Sequence, residues 1–142
     1  RMRSRNGAID ITTERFPIVD IIYAGPATPI EDFRDAFEEY ARIAERKVRV
    51  AWLIDMRNFD PLKVSATNRK DAARVFDEFA ARLAPVSVAE ARVIVSPLTR
   101  GILTAFDWLT GTNKWPCRQY GTMEAAETWL RAELLHAGTV GR

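Results

Sequence analysis

The run Val48-Arg49-Val50-Ala51-Trp52-Leu53-Ile54-Asp55 constrains the fold more than any other stretch of this chain. Six of its first seven residues are apolar, and it stops abruptly on a carboxylate. A half-exposed strand would alternate polar with apolar residues. This run does not alternate, and it is too short for an independent helix. It therefore reads as a central strand covered on both faces, in a sheet that is at least partly parallel.

The flanking patterns agree. Ile9 to Glu14 and Ile18 to Ala24 are short β-rich runs around Arg15-Phe16-Pro17, a hairpin or bent pair. Thr28-Pro29-Ile30-Glu31 then opens a helix, with threonine as cap, proline in the first turn and glutamate placed to bond back. Ile30, Phe33, Phe37, Tyr40, Ala41 and Ala44 share one face of it, and the pattern ends near Glu45. Strand, helix and the Val48 strand make a βαβ unit, whose crossover is right-handed in nearly all proteins.

A second helix starts between Ser65 and Asn68 and stops at Pro85. Val75, Phe76, Phe79, Ala80 and Leu83 form its apolar stripe. Arg69, Lys70, Arg74, Asp77, Glu78 and Arg82 read as its solvated face. Ala91 to Val95 is a further buried strand. Ser96-Pro97 begins a third helix, Leu98 to Leu109, which Gly111 ends. Cys117 to Tyr120 suits a short edge strand. Thr122 caps a last helix, whose Ala125, Ala126, Trp129, Leu130 and Leu134 face inward until Gly138. The expected architecture is a single α/β domain over residues 8–137, with about five strands in a mixed sheet and about four helices. Residues 1–7, rich in arginine, and 138–142 read as tails, the first disordered.

Composition narrows the function. At 142 residues the chain buries a core without staples. The formal net charge of +2, with arginines spread along the chain, does not make a nucleic-acid footprint. The one cysteine, Cys117, cannot form an internal disulfide or a thiolate zinc cluster. No run reaches the roughly 18 uninterrupted apolar residues of a membrane helix, and no signal peptide opens the sequence. These features point to a cytoplasmic protein with no membrane insertion. Glycine-rich phosphate loops, nucleophile elbows and metalloprotease motifs are all absent. The lone histidine, His136, falls near the end of the last helix, where the dipole favours its cation. No catalytic residue, metal site or cofactor is expected.

The Trp-Leu-Ile-Asp-Met-Arg end of the central strand resembles the SpoIIAA-like proteins. So do the later Ser-Pro-Leu-Thr-Arg-Gly-Ile-Leu-Thr-Ala-Phe-Asp-Trp segment and the closing Glu-Ala-Ala-Glu-Thr-Trp-Leu. These proteins share the fold of the STAS domain, known best from anti-anti-sigma factors. The resemblance covers roughly residues 8–136. It implies a non-enzymatic regulatory module acting through protein contacts. Anti-anti-sigma factors carry a phosphorylatable serine in an acidic, glycine-containing motif after the central strand. Here that region reads Pro61-Leu62-Lys63-Val64-Ser65-Ala66-Thr67. Ser65 is the candidate phosphorylation site, and a plain helix cap is its simpler role.

One further cluster follows from topology. In open α/β sheets, ligands bind beyond the carboxyl ends of the strands. Asp55 and Arg57 leave the central strand there, and Ser96, Thr99 and Arg100 leave the Ala91 strand at the same edge. Arg100 calls for a carboxylate, Asp55 or Asp107, or for an acidic ligand. The cluster is either a structural ion pair joining two loops or a crevice for a small acidic or lipid-like molecule. Trp115, in a loop beside Pro116, is the candidate contact for a protein partner or a homodimer, with packing over a sheet edge as the alternative.

Overall fold

The structure, a computed structural model, describes residues 1–110 and 114–140. Its elements are β1 (Met2–Arg3), β2 (Ile9–Thr12), β3 (Ile18–Tyr23), α1 (Ile30–Ala44), β4 (Val50–Asp55), a turn of 3-10 helix (Pro61–Lys63), α2 (Ala66–Leu83), β5 (Ser87–Val93), α3 (Pro97–Leu109), β6 (Cys117–Tyr120) and α4 (Met123–Val140). The strands form one six-stranded sheet whose spatial order is the chain order. β1, β2 and β3 are antiparallel neighbours, and β3 to β6 run parallel.

That order decides the layers. Each right-handed crossover from β3 to β6 steps the same way across the sheet. α1, α2 and α3 therefore all land on one face. The chain reaches the other face only after β6, through α4. Trp52, Val50 and Ile21 meet α1 and α2. Ala51, Leu53, Ala89, Ala91 and Val93 meet Ala126 and Leu130 of α4. The central run is thus buried on both sides, although its strand begins at Val50 and Val48 is exposed.

Residues 1–7 are not a disordered tail. Met2 pairs with Ile11, and Gly7, at φ 74°, turns the chain back toward β2. Arg3 is bonded to Asp10, and Arg5 holds Asp35 through its backbone N–H and its guanidinium. The anchor is Asp32 of α1, whose side chain is fully buried. It accepts hydrogen bonds from the Ser4 hydroxyl, the Asn6 backbone and side chain, and the Ala8 backbone. Burial works against the Asp32 charge, but these donors together outweigh it and lower its pKa. This carboxylate explains the sixth strand.

Two helix ends also differ from the sequence reading. Pro29, not Thr28, occupies the cap position of α1, and no side chain bonds back there. α4 runs through Gly138 to Val140, so that glycine does not end it. The caps at Ser65, Ser96 and Thr122 form as expected. Gly111 lies outside the described residues.

Candidate functional site

β5 begins earlier than its apolar run suggests and includes Glu90. Glu90 and Arg92 are two apart, so both leave the same side of the strand, the side covered by α1, α2 and α3. Both are buried. Arg92 Nε donates to Glu90 Oε2 at 2.6 Å, and its two terminal nitrogens reach Asp107 of α3 at 3.2 and 3.0 Å. Trp115 Nε1 donates to Glu90 Oε1 at 3.1 Å. The Cys117 thiol lies 3.5 Å from Glu90 Oε2. Burial opposes the charge on Arg92, yet Glu90 and Asp107 more than offset it, and Arg92 holds its proton more tightly than a free arginine. Burial first, then Glu90, pushes the Cys117 thiol well above its usual range, as befits an inert thiol.

Beside this cluster, between the sheet and its three-helix layer, lies a cavity of about 140 Å³. Aromatic rings dominate its wall. Phe76 and Phe106 meet edge to face at 6.0 Å and 83°, Phe33 and Phe106 at 6.5 Å and 81°, and Phe76 lies 5.8 Å from Trp115. Such arrangements suit the quadrupoles of the rings and offer edges and faces to a guest. Tyr23 and Tyr40 also line the cavity, and neither hydroxyl has a hydrogen-bond partner among the described residues. Burial above all, reinforced by Glu90, raises both phenols, so they remain neutral donors. Thr28 Oγ1 is buried in the same wall without a partner. Asn68 and Arg69, from the first turns of α2, complete the lining and are half-buried.

The chain matches no family model, no curated protein and no solved structure at a significant level.

The crevice expected at the carboxyl edge is not assembled. Asp55 closes on Arg57 instead, accepting from its backbone at 3.1 Å and from its guanidinium at 2.9 and 2.8 Å. Those bonds lower the Asp55 pKa against the effect of burial. This pair lines a depression with Arg15 and Asp20, where α4 leaves the sheet uncovered. Arg15 and Asp20 are themselves paired at 2.6 Å. Ser96 caps α3. Thr99 is buried with its Oγ1 unpartnered, and Arg100 is exposed. Neither carboxylate expected for Arg100 reaches it, because Asp55 holds Arg57 and Asp107 holds Arg92. The topological reason is the monotone strand order. No crossover between β3 and β6 changes face, so the ends of β4 and β5 do not flank a switch-point crevice.

Two more expectations move. Trp115 is not an exposed contact: it is 8 % exposed and bonded to Glu90, because the chain entering β6 tucks under the helical layer. The exposed tryptophan is Trp108, at 80 %. Arg69 is not on a solvated face, since α2 rolls its first turns over the cavity. Ser65 is spent as a cap, its Oγ accepting from Asn68 at 3.0 Å. Among the described residues no cluster of histidine, cysteine or carboxylates could hold a metal ion, and no helix is long and apolar enough to cross a membrane.

Sequence reasoning missed Glu90 and Arg92. A signal for them exists. Glu-Ala-Arg within a strand puts two opposite charges on one face. If that strand is central, the face is covered and the charges must pair in the interior.

Proposed function

We propose that this protein binds a small, largely apolar molecule in the cavity between its sheet and the α1–α2–α3 layer. The observation that carries this reading is the combination of an aromatic wall with hydrogen-bonding groups left unmet. Interiors are normally filled and their polar groups paired. Here Thr28, Tyr23 and Tyr40 retain hydrogen-bonding capacity beside about 140 Å³ of space. Ligand sites have this makeup, concave and apolar with a few polar groups to orient the guest. α3 suits the part of a cover. Ile102, Leu103 and Phe106 line the cavity, and the Arg92–Asp107 pair ties the helix to the sheet.

The test is the mass of gently purified protein under native and denaturing conditions, compared with an Ala72→Phe variant. Ala72 lines the cavity, and a ring there occupies it. A small-molecule adduct carried by the parent protein and missing from the variant is the expected result. Bare parent protein, together with no thermal shift from small aromatic compounds, would sink the reading.

A second reading is the one the SpoIIAA-like resemblance implies, a regulatory module acting through protein contacts. It is favoured by Leu62, Val95, Leu98 and Trp108, which make up four of the seven large hydrophobic residues exposed among the described residues. All lie on or next to α3 and the short turn before α2. Exposed large apolar residues on one helix and its neighbouring segments suit contact with another protein. Sedimentation of the parent and of Trp108→Ala would separate the readings, since an assembly lost in the variant supports the contact role.

A further inference from the structure

We propose that the cavity takes a small aromatic monocarboxylic acid, with its ring among the phenylalanines and its carboxylate at Arg69. This inference deepens the ligand-binding reading and rests on it.

Size comes first. A cavity of about 150 Å³ lined by apolar side chains is known to take benzene. The cavity here is about 140 Å³, so it has room for one ring. The wall favours an aromatic guest over an alkyl chain, because Phe33, Phe76, Phe106 and Trp115 present ring edges and faces to it.

Charge decides the orientation. Besides the neutral hydroxyls, two places on the lining carry charge. One is the buried cluster, where a single cation, Arg92, faces two carboxylates, Glu90 and Asp107. Its net charge is negative, and the three Arg92 nitrogens that donate are already engaged. An anion placed there would be repelled. The other place is the start of α2. Arg69 is half-buried on the lining and has no ion-pair partner among the described residues. Its neighbours three and four positions away are Ser65, Ala66, Ala72 and Ala73, so its own helix supplies no carboxylate. A planar guanidinium pairs two-pronged with a carboxylate. Asn68 adds an amide beside it, and the unpartnered Thr28 hydroxyl lines the same cavity. A neutral ligand would leave this arginine uncompensated, and an amine would face like charge.

The experiment is calorimetry with three probes that share a ring and linker, namely phenylpropionate, phenylpropanol and phenylpropylamine, on the full chain at neutral pH. Quenching of Trp115 and Trp52, which line the cavity, gives a second readout. The acid should bind at least about 10-fold more tightly than the alcohol, the amine most weakly. Arg69→Gln should erase the acid's advantage and leave the alcohol unchanged. Arg69→Lys should keep part of it, which also shows that the site is folded. Equal binding of acid and alcohol, or an acid advantage that survives Arg69→Gln, would overturn the carboxylate assignment while leaving the cavity a ligand site. If none of the probes binds, the ligand-binding reading fails along with it.

Discussion

The two faces of one sheet are built differently. On the α4 face, β4 and β5 offer Ala51, Leu53, Ala89, Ala91 and Val93, and the fully buried Ala126 and Leu130 come down on them. Small residues on the strands let the helix approach closely, and Ala89, Ala91 and Val93 are fully buried beneath it. On the opposite face the same strands offer Trp52, Ile54, Glu90 and Arg92, beneath a layer rich in phenylalanine. Large rings on both sides hold the layers apart, and rigid rings do not fill irregular space completely. A period of two along a strand therefore gives one sheet a close-packed side and a hollow side. The hollow side also carries the buried charges, where a polar group costs stability unless it is paired.

The largest test of this contrast is Arg92→Met. Removing one member of a buried ion-pair network leaves carboxylates without compensation, and the loss should be about 3–5 kcal/mol in denaturant unfolding. A loss below about 1 kcal/mol would mean that the cluster is effectively solvated and the hollow side wet. A matched pair of enlargements gives the next largest effect. Ala91→Leu, on the packed face, should destabilise by about 1–3 kcal/mol through overpacking. Ala72→Leu, on the cavity wall, should fall within about 0.5 kcal/mol of the parent. Equal costs would erase the distinction between the faces.

The smallest effect concerns how α1 is fastened over the hollow side. Asp35 is held at about 2, chiefly by hydrogen bonding from Arg5, and Asp32 is also lowered. Both are depressed in the folded state. Their contribution is therefore present above the ordinary carboxylate pKa and lost as pH falls through the folded values. Stability should decline as pH drops below about 4, with hydrogen exchange at Ser4 to Ala8 rising before exchange in α4. Asp32→Asn should flatten that decline while lowering stability at neutral pH. Because Arg5 is exposed, screening keeps its share small, and added salt should reduce it further. Simultaneous opening of both regions would show that the N-terminal strap is not independently fastened.

Much of the architecture was legible from local signals. The unbroken apolar run at Val50–Ile54 required cover on both faces. Helical periodicity located α1, α2 and α4, and Ser65, Ser96 and Thr122 marked three helix starts that formed. The site was less legible. Asp55, Arg57, Ser96, Thr99 and Arg100 share a sheet edge in principle. The interactions that matter lie elsewhere, in Glu90, Arg92, Asp107 and Trp115, up to 25 residues apart. Arg69 looks like one more charge on a wet helix face until the roll of α2 is known. The N-terminal arginines look like a frayed arm until Asp32 is seen beneath them.

By itself, then, the sequence determined five of the six strands, the four α-helices and the α/β class, because helix period, strand alternation and caps are properties of neighbouring residues. Tertiary structure alone decided the order of strands, the placing of three helices on one face, the cavity left beneath them and the partner of each buried charge. Those depend on contacts between distant segments, where the low dielectric interior makes an unpaired charge intolerable and thereby selects which residues must meet.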